Sequence, residues 1–327
     1  MDIVVKTAQE ITTETPQRIE ELVDRFIAAK DVKLNSKLLY RRTLKQYFSW
    51  IAKKSYLLSE IARPQLLEYK EELLSSGMSS LTVGSYITSV RLFYEWTEAN
   101  KYYPNVAKGI KTTKRKQQFK KQPLLPAQAT ALLKHTNPAT ALIYTETQTG
   151  RDKALRDYAI INLLLRTGLR TVEVIRANVE DITFKGSQRV LLVQGKGRDE
   201  RDNFVLLTDK AYKPIEEYLA TRGNIDPTEP LFTSISNNSN GERLTTRSIS
   251  YIAKEGLKAI GLNERRFTAH SLRHTAATTI LRATGDLEQT RLFCRHTNPA
   301  TTLIYTATLN EERRLQNSGE VVIDSLY

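Results

Sequence analysis

The chain has 327 residues, of which 49 are lysine or arginine and 36 are aspartate or glutamate, so its formal net charge is +13. With 40% hydrophobic and 26% charged residues it is not a largely disordered chain, and its length suits two domains that each bury a core. The single cysteine, Cys294, excludes an internal disulfide and a zinc site built from several cysteines.

Residues 1–15, rich in threonine and glutamate, are predicted to form a flexible tail. The first residues lack the basic-then-apolar order of a signal peptide, and no apolar run approaches the roughly 18 residues of a membrane span. We therefore expect a cytoplasmic protein that does not enter a membrane.

The hundred residues after the tail predict four helices, because hydrophobic residues recur there at spacings of three and four. The four periodic stretches are Ile19 to Ile27, Leu38 to Ile51, Leu66 to Leu73, and Val83 to Trp96. The third helix is expected to stop at Gly77 and the fourth to start at Ser79. Short connections between four helices indicate a small helical bundle over residues 16–108.

A basic stretch follows the bundle, since no acidic residue occurs between Glu98 and Glu146. Residues 109–124 are predicted to be a linker whose cations repel one another unless they lie on phosphates. The candidate DNA-binding side chains in this linker are Lys111, Lys114, Arg115, Lys116, Lys120 and Lys121. Because the whole chain is basic, we favour nucleic acid as the partner over an anionic membrane surface and over a merely solvated linker.

Residues 125–309 predict a second domain, mostly helical with one small antiparallel sheet. Its helices are expected over residues 126–134, 158–165, 172–177, 209–220, 246–260, 269–282 and 287–293. Strands at 189–193 and 204–207 flank a glycine-containing hairpin loop that holds Lys196. Residues 310–327 are a C-terminal tail with an apolar segment between Val321 and Leu326.

Six polar residues stand at the edges of the predicted elements of this second domain. They are Arg170, Lys196, His270, Arg273, His296 and Tyr305. Two guanidiniums can grip phosphate oxygens, a histidine can accept a proton from a phenol, a lysine can protonate a leaving hydroxyl, and a tyrosine can attack phosphorus. The set therefore suits cleavage of a phosphodiester with no metal and no other cofactor.

Each of these six residues has an ordinary structural explanation when taken alone, so the conjunction carries the interpretation. His270 and His274 have the four-residue spacing of zinc-binding helices. However, no glutamate follows His270 as the metalloprotease motif requires, and we therefore set the zinc site aside.

Four blocks of the second domain resemble the tyrosine recombinase (phage-type integrase) family. The blocks are Thr167 to Glu173, Gly195 to Gly197, His270 to His274, and His296 to Tyr305, in the family's order and spacing. The resemblance implies a mainly α fold. A four-helix core-binding (SAM-like) domain would span residues 16–108, and an α-rich catalytic domain with a small sheet would span residues 125–309. The two domains would close on DNA as a C-shaped clamp.

By the same resemblance, Arg170 and Arg273 would bind the scissile phosphate and His296 would hydrogen-bond it. Glu173 would support the arginine and histidine side chains without reacting. Tyr305 would form a 3′-phosphotyrosyl bond to DNA.

The resemblance also implies that Lys196 is the general acid for the 5′ oxygen and that His270 is the general base. Similar proteins act as tetramers on two duplexes through a Holliday junction, without ATP or metal. The expected partners are therefore double-stranded DNA and further copies of the chain, with accessory DNA-bending proteins as an additional class. Residues 310–327 would pack on a neighbouring subunit, the alternative being a frayed end.

The function that we expect is site-specific recombination that integrates and excises a mobile element. Within the same chemistry, the alternatives are an Xer-like resolvase of chromosome or plasmid dimers and a type IB topoisomerase. An alternative of another class is a catalytically inactive, sequence-specific DNA-binding protein.

Two features depart from the family pattern. Many relatives have Leu-Gly before the second histidine, where this chain has Cys294 and Arg295. Arg295 is expected either to contact phosphate or to replace a bend that depends on glycine.

The second departure is an internal repeat, because residues 135–147 and 296–308 agree at eleven of thirteen positions. Tyr144 thereby duplicates Tyr305, but Tyr305 follows the His-x-x-Arg helix at the family spacing and is our candidate nucleophile. We interpret residues 135–150 as a tolerated surface insertion. The alternative is a decoy of the tyrosine helix that restrains activity.

Overall fold

The computed structural model describes residues 16–112, 121–140, 147–195, 200–236, 240–316 and 318–327. The chain divides into two compact units, residues 1–116 and 117–327, and this division falls inside the stretch predicted as a linker. The described residues are mainly helical with one small antiparallel sheet, which confirms the predicted fold class. Within the described ranges, no helix combines the length and the apolar character needed to cross a bilayer. The predicted tail, 1–15, lies outside the described residues.

Residues 16–112 of the first unit form four α-helices around an aromatic core. They are α1 (Pro16–Ala28), α2 (Leu34–Lys53), α3 (Arg63–Ser75) and α4 (Ser80–Ala99). Phe26, Tyr47 and Phe93 are completely buried where the helices meet. Ser79 fixes the start of α4, since its side chain accepts a hydrogen bond from the Thr82 amide at 3.2 Å. The four predicted helices are therefore present.

The second unit packs its helices around one hydrophobic helix, α6. The helices before the sheet are α5 (Pro126–Thr136), α6 (Gln148–Thr167) and α7 (Thr171–Arg176). Ile160, Leu163 and Leu164 of α6 are completely buried. This helix starts well before the predicted residue 158, because Thr147 caps it and its first turns are polar and carry no hydrophobic periodicity.

The sheet has three strands instead of the two predicted. They are β1 (Ile182–Lys185), β2 (Gln188–Val193) and β3 (Asn203–Leu206), in the antiparallel order β1-β2-β3. Lys185 pairs with Gln188, so a two-residue turn joins β1 to β2, and Gly186 supplies its positive φ of +60°. Sequence periodicity missed β1 because it is only four residues long and its second half is exposed.

The helices after the sheet carry most of the candidate site. They are α8 (Asp209–Ala220), α9 (Thr246–Ala259), α10 (Ala269–Thr284), α11 (Leu287–Cys294), α12 (Leu303–Gln316) and α13 (Gly319–Asp324). A small hydrophobic cluster holds α10, α11 and α12 together through Ala277, Leu281, Cys294, Tyr305 and Leu309. The helix that bears Tyr305 is therefore docked against the helix that bears Arg273.

Candidate active site

The junction between α6 and α7 positions Arg170. Gly168 ends α6 with φ +58°, and a Cβ at this position would lie 2.8 Å from Cε1 of Phe293, so glycine is required here. The backbone N–H of Arg170 donates to Oε2 of Glu173 at 2.8 Å, and its Nη1 donates to Oε1 at 2.8 Å. Glu173 is 1% exposed. One buried carboxylate thus fixes both the backbone and the guanidinium of Arg170.

Arg273 lies in the second turn of α10 with only 2% of its surface exposed. Its Nη1 donates to the carbonyl oxygen of Gly168, and its Nη2 donates to that of Cys294. The same Nη2 lies 3.1 Å from Nε2 of His296. Arg273 therefore connects the end of α6, the end of α11 and His296.

His296 is held in one tautomer. Since an arginine only donates hydrogen bonds, Nε2 of His296 is the acceptor from Arg273, and its proton resides on Nδ1, which donates to Oγ1 of Thr302 at 2.9 Å. Burial, and then the charges of Arg273 and two other nearby arginines, lower the pKa of His296 to about 3. The imidazole is therefore neutral at physiological pH.

Tyr305 is 3% exposed and lies between two histidines. Its ring stacks on His296, with centroids 6.0 Å apart, and meets His274 edge-on at 4.9 Å. Cys294 and Arg273 lie close enough to its hydroxyl to influence its pKa. Burial, and then the neighbouring Cys294, raise the pKa of Tyr305 well above its ordinary value, although Arg273 acts in the opposite direction. The phenol is protonated in this state.

His270 lies one turn before Arg273 on α10 and is exposed. Partial desolvation, followed by the positive charges of Arg273, Arg170 and Lys121, lowers its pKa. His270 is therefore neutral at neutral pH, which is the protonation state of a proton acceptor.

The structure brings five of the seven sequence-predicted site residues into one connected group and places a sixth beside it. The connected residues are Arg170, Glu173, Arg273, His296 and Tyr305. His270 adjoins this group and is linked to it by charge. The seventh residue, Lys196, and the duplicate Tyr144 lie outside the described residues.

The linker cations are only partly described, because Lys114, Arg115, Lys116 and Lys120 also lie outside the described residues. Lys111 is exposed in the first unit, and its carbonyl oxygen accepts from Nζ of Lys70 at 2.8 Å. In the second unit, Nζ of Lys121 donates to the carbonyl oxygen of Arg265 at 2.7 Å. Lys121 therefore places its charge near His270.

Arg295 adopts the left-handed conformation that the family's glycine would supply, with φ +55° at the end of α11. Its guanidinium forms an ion pair with Glu173 at 3.0 Å. The expected glycine-type bend is therefore present with a charged side chain on it. Sequence reasoning missed this ion pair, and it also missed the role of Thr302 as the partner of His296.

A cavity of about 490 Å³ opens beside this group. Its lining includes Arg170, Glu173, Arg291, Arg295 and His296. Three guanidiniums and a neutral imidazole around one carboxylate give a net positive surface with several donors. This arrangement suits an anionic phosphate diester, whose oxygens guanidinium forks and N–H groups recognise.

Comparison with known proteins agrees with this geometry. The model of the "Phage integrase family" matches residues 138–312. The chain is similar to tyrosine recombinase XerC of Pelobacter propionicus, with 31% identity over 271 residues that cover 82% of each chain. It is also similar to tyrosine recombinase XerD of Vibrio cholerae serotype O1, with 25% identity over 300 residues that cover 91% of this chain and 94% of the relative.

Solved structures share the fold at lower identity. The XerH site-specific recombinase bound to palindromic difH substrate gives a TM-score of 0.72 at 19% identity, covering 92% of this chain and 84% of that one. A lambda integrase dimer bound to a COC′ core site gives a TM-score of 0.63 at 15% identity, covering 88% and 94%. The family model and the XerC and XerD relatives show that the chain belongs to the phage integrase family and is a tyrosine recombinase.

Proposed function

We propose that the protein cleaves and rejoins specific DNA strands by using Tyr305 as the nucleophile. The oxygen of Tyr305 attacks the phosphorus and forms a 3′-phosphotyrosyl bond while the bond to the 5′ oxygen breaks. His270 accepts the phenolic proton, and Lys196 protonates the departing 5′ oxygen. Rejoining reverses these steps, with the 5′ hydroxyl of a second strand as the attacking group.

The guanidiniums of Arg170 and Arg273 bind the scissile phosphate and stabilise the charge that builds up on its oxygens. To donate a hydrogen bond to the same phosphate, the neutral His296 carries its proton on Nε2 instead of Nδ1 once Arg273 turns to the phosphate, and Glu173 orients Arg170. The observation that carries this proposal is the stacking of Tyr305 on His296, whose Nε2 lies 3.1 Å from Nη2 of Arg273.

DNA binding must open this site before attack. In the described state, Tyr305 is 3% exposed and the guanidinium of Arg273 is occupied by backbone carbonyls. We infer that a bound phosphate exchanges with those carbonyls and that Tyr305 moves toward the phosphorus. The active assembly that we propose is a homo-tetramer on two duplexes, with a Holliday-junction intermediate, formed in the cytoplasm.

For the biological role we propose integration and excision of a mobile element, because the chain carries a basic linker and an inserted repeat. The curated relatives named XerC and XerD favour a second candidate, the resolution of chromosome or plasmid dimers. Plasmids with two identical sites and plasmids with two unequal sites separate these roles. A resolvase recombines the identical pair, whereas an integrase prefers the unequal pair.

Covalent capture on nicked duplexes tests the reaction itself. The duplexes are drawn from DNA that flanks the gene, and the wild type is compared with Tyr305→Phe and Tyr144→Phe on a denaturing gel. We expect a protein–DNA adduct from the wild type and from Tyr144→Phe, and none from Tyr305→Phe although it still binds. If the adduct disappears with Tyr144→Phe instead, Tyr144 is the nucleophile and the assignment of Tyr305 is wrong. Equal binding without any adduct would favour the inactive DNA-binding protein.

A further inference from the structure

Arg295 occupies a backbone position that glycine adopts most easily. It ends α11 in the left-handed region, with φ +55° and ψ +44°. A side chain at such a position makes the backbone conformation less favourable. The backbone conformation therefore does not explain an arginine at this position. The contacts of the Arg295 side chain must explain it.

Those contacts lead to the residue that holds Arg170. The guanidinium of Arg295 is 7% exposed, and its Nη2 lies 3.0 Å from Oε2 of Glu173. Its Nη1 donates to the carbonyl oxygen of Phe293 at 2.8 Å, which fixes the guanidinium in place. The other carboxylate oxygen, Oε1, accepts from Nη1 of Arg170 at 2.8 Å. The carboxylate is therefore shared between two guanidiniums.

The charges that act on Glu173 come from the start of α7, from α10 and from the end of α11. Arg170 faces it from the start of α7, Arg273 from α10, and Arg295 and the neutral His296 from the end of α11. Burial by itself raises the pKa of the Glu173 carboxyl. The charge of Arg295 is the largest opposing influence, and with the hydrogen bond and charge of Arg170 it brings the pKa below its ordinary value.

Sharing the carboxylate also changes the charge that remains for a phosphate. With Arg170 as its sole close partner, Glu173 would neutralise most of the charge of that arginine. With Arg295 present, the group around the cavity keeps an additional positive charge, and Glu173 still orients Arg170 through Oε1. The effect is strong because the pair lies in the low-dielectric interior.

We propose that Arg295 is a positioning residue for DNA cleavage: by pairing with Glu173 it keeps that carboxylate ionised and fixed, and so presents Arg170 to the scissile phosphate. This inference rests on the proposed cleavage reaction. Arg295 itself acts through Glu173 and is not required to touch the substrate.

Arg295→Gly tests the proposal, since glycine suits the backbone and removes only the side chain. We expect DNA binding within about twofold of wild type and a single-turnover cleavage rate at neutral pH that is lower by about tenfold or more, as for the loss of one charge-stabilising group. The deficit should grow as the pH falls from 8 to 5.5, because Glu173, which then has Arg170 but not Arg295 as a partner, gains a proton more readily. Arg295→Lys, which keeps the charge, should restore part of the rate and remove the additional pH dependence.

Arg222 provides a matched control. Its guanidinium is 12% exposed, pairs with Glu229 at 2.6 Å and donates to a backbone carbonyl, away from the candidate site. Arg222→Ala should lower the melting temperature without changing the pH dependence of cleavage. Combined with Glu173→Gln, Arg295→Gly should cause no further loss beyond that of Glu173→Gln alone.

The outcomes distinguish failure of the proposed cleavage reaction from failure of the positioning role of Arg295. If wild-type protein forms no adduct on any flanking duplex, the proposed reaction is wrong. If the wild type cleaves and Arg295→Gly cleaves equally well from pH 8 to 5.5, the role of Arg295 is wrong. Additive losses in the double variant would also overturn it, since they would show that Arg295 does not act through Glu173.

Discussion

His270 stands among cations, and this environment sets the pH range in which it accepts a proton. Since its pKa is lowered, the neutral form persists below the ordinary value of about 6.5, and cleavage should decline only at more acidic pH. Lys121→Gln removes one of the charges that lower this pKa. We expect the acidic limb of the pH–rate profile to move toward higher pH in that variant.

The measurement is single-turnover cleavage at saturating DNA between pH 5 and 8. Lys258→Gln is the control, because Lys258 is an exposed cation that pairs with Glu255 on α9. Its acidic limb should coincide with that of the wild type. An unchanged limb in Lys121→Gln would argue against His270 as the general base.

Gly168 and Gly186 have nearly the same positive φ, but only Gly168 is tightly surrounded. Alanine at either position adopts an unfavourable backbone conformation, at a cost of about 1–2 kcal/mol. At Gly168 the new Cβ would also lie 2.8 Å from the ring of Phe293, whereas nothing lies within 4 Å at Gly186. We therefore expect Gly168→Ala to lose roughly 1 kcal/mol more than Gly186→Ala in denaturant unfolding. Equal losses would contradict the packing argument.

At the scale of elements, α13 presents several exposed apolar side chains. Val321, Val322, Ile323 and Leu326 are 57–72% exposed, and Ser318 caps the helix by accepting from the Val321 amide at 3.2 Å. An ordered helix with such a surface suits the proposed packing on a neighbouring subunit.

Ile323→Asp should therefore weaken assembly of the proposed four-subunit complex while single-site binding stays intact. Native gel electrophoresis with one and two sites measures both steps. Glu320→Gln, on the same helix, is the control and should assemble like the wild type. If Ile323→Asp assembles like the wild type, the apolar surface of α13 does not contribute to assembly.

The two copies of the repeated motif adopt a similar turn in different environments. Asn137 and Asn298 each accept a hydrogen bond from the amide two residues further on, at 3.0 and 2.9 Å. However, His135 is exposed at the end of α5, whereas His296 is buried and donates to Thr302. The first copy has alanine at the position of Thr302. It therefore lacks the hydroxyl that orients the second histidine.

Much of the fold and of the candidate site was predictable from the sequence. Hydrophobic periodicity located most of the helices, but it predicted neither α12 nor α13, which lie where the sequence suggested the end of the domain and a tail. The motif blocks between Arg170 and Tyr305 named most of the side chains that the structure brings together. Strand β1 was missed because four half-exposed residues carry too little periodicity. The sharing of Glu173 between Arg170 and Arg295 was also missed, because it depends on the meeting of α7 with the end of α11, which are far apart in sequence.

For the whole molecule, the net charge of +13 favours binding to DNA. The salt dependence of the DNA affinity then measures the number of phosphate contacts, because each contact releases counterions. Each neutralised phosphate contributes roughly 0.9 to the slope of log K against log salt. Lys111→Ala and Lys121→Ala should each reduce that slope by about 1. Lys258→Ala, which removes an exposed cation outside the linker, should leave the slope unchanged. Unchanged slopes in both linker variants would show that Lys111 and Lys121 do not contact DNA phosphates.

The burial of Tyr305 also bears on the safety of carrying such an enzyme. A protein that searches a genome meets about a million or more competing sites for each target. With the oxygen of the proposed nucleophile covered in the free chain, we expect those encounters to end in dissociation and to leave both strands whole. Fidelity would then depend on accessibility as well as on recognition, and the host would tolerate a standing supply of the protein without accumulating breaks.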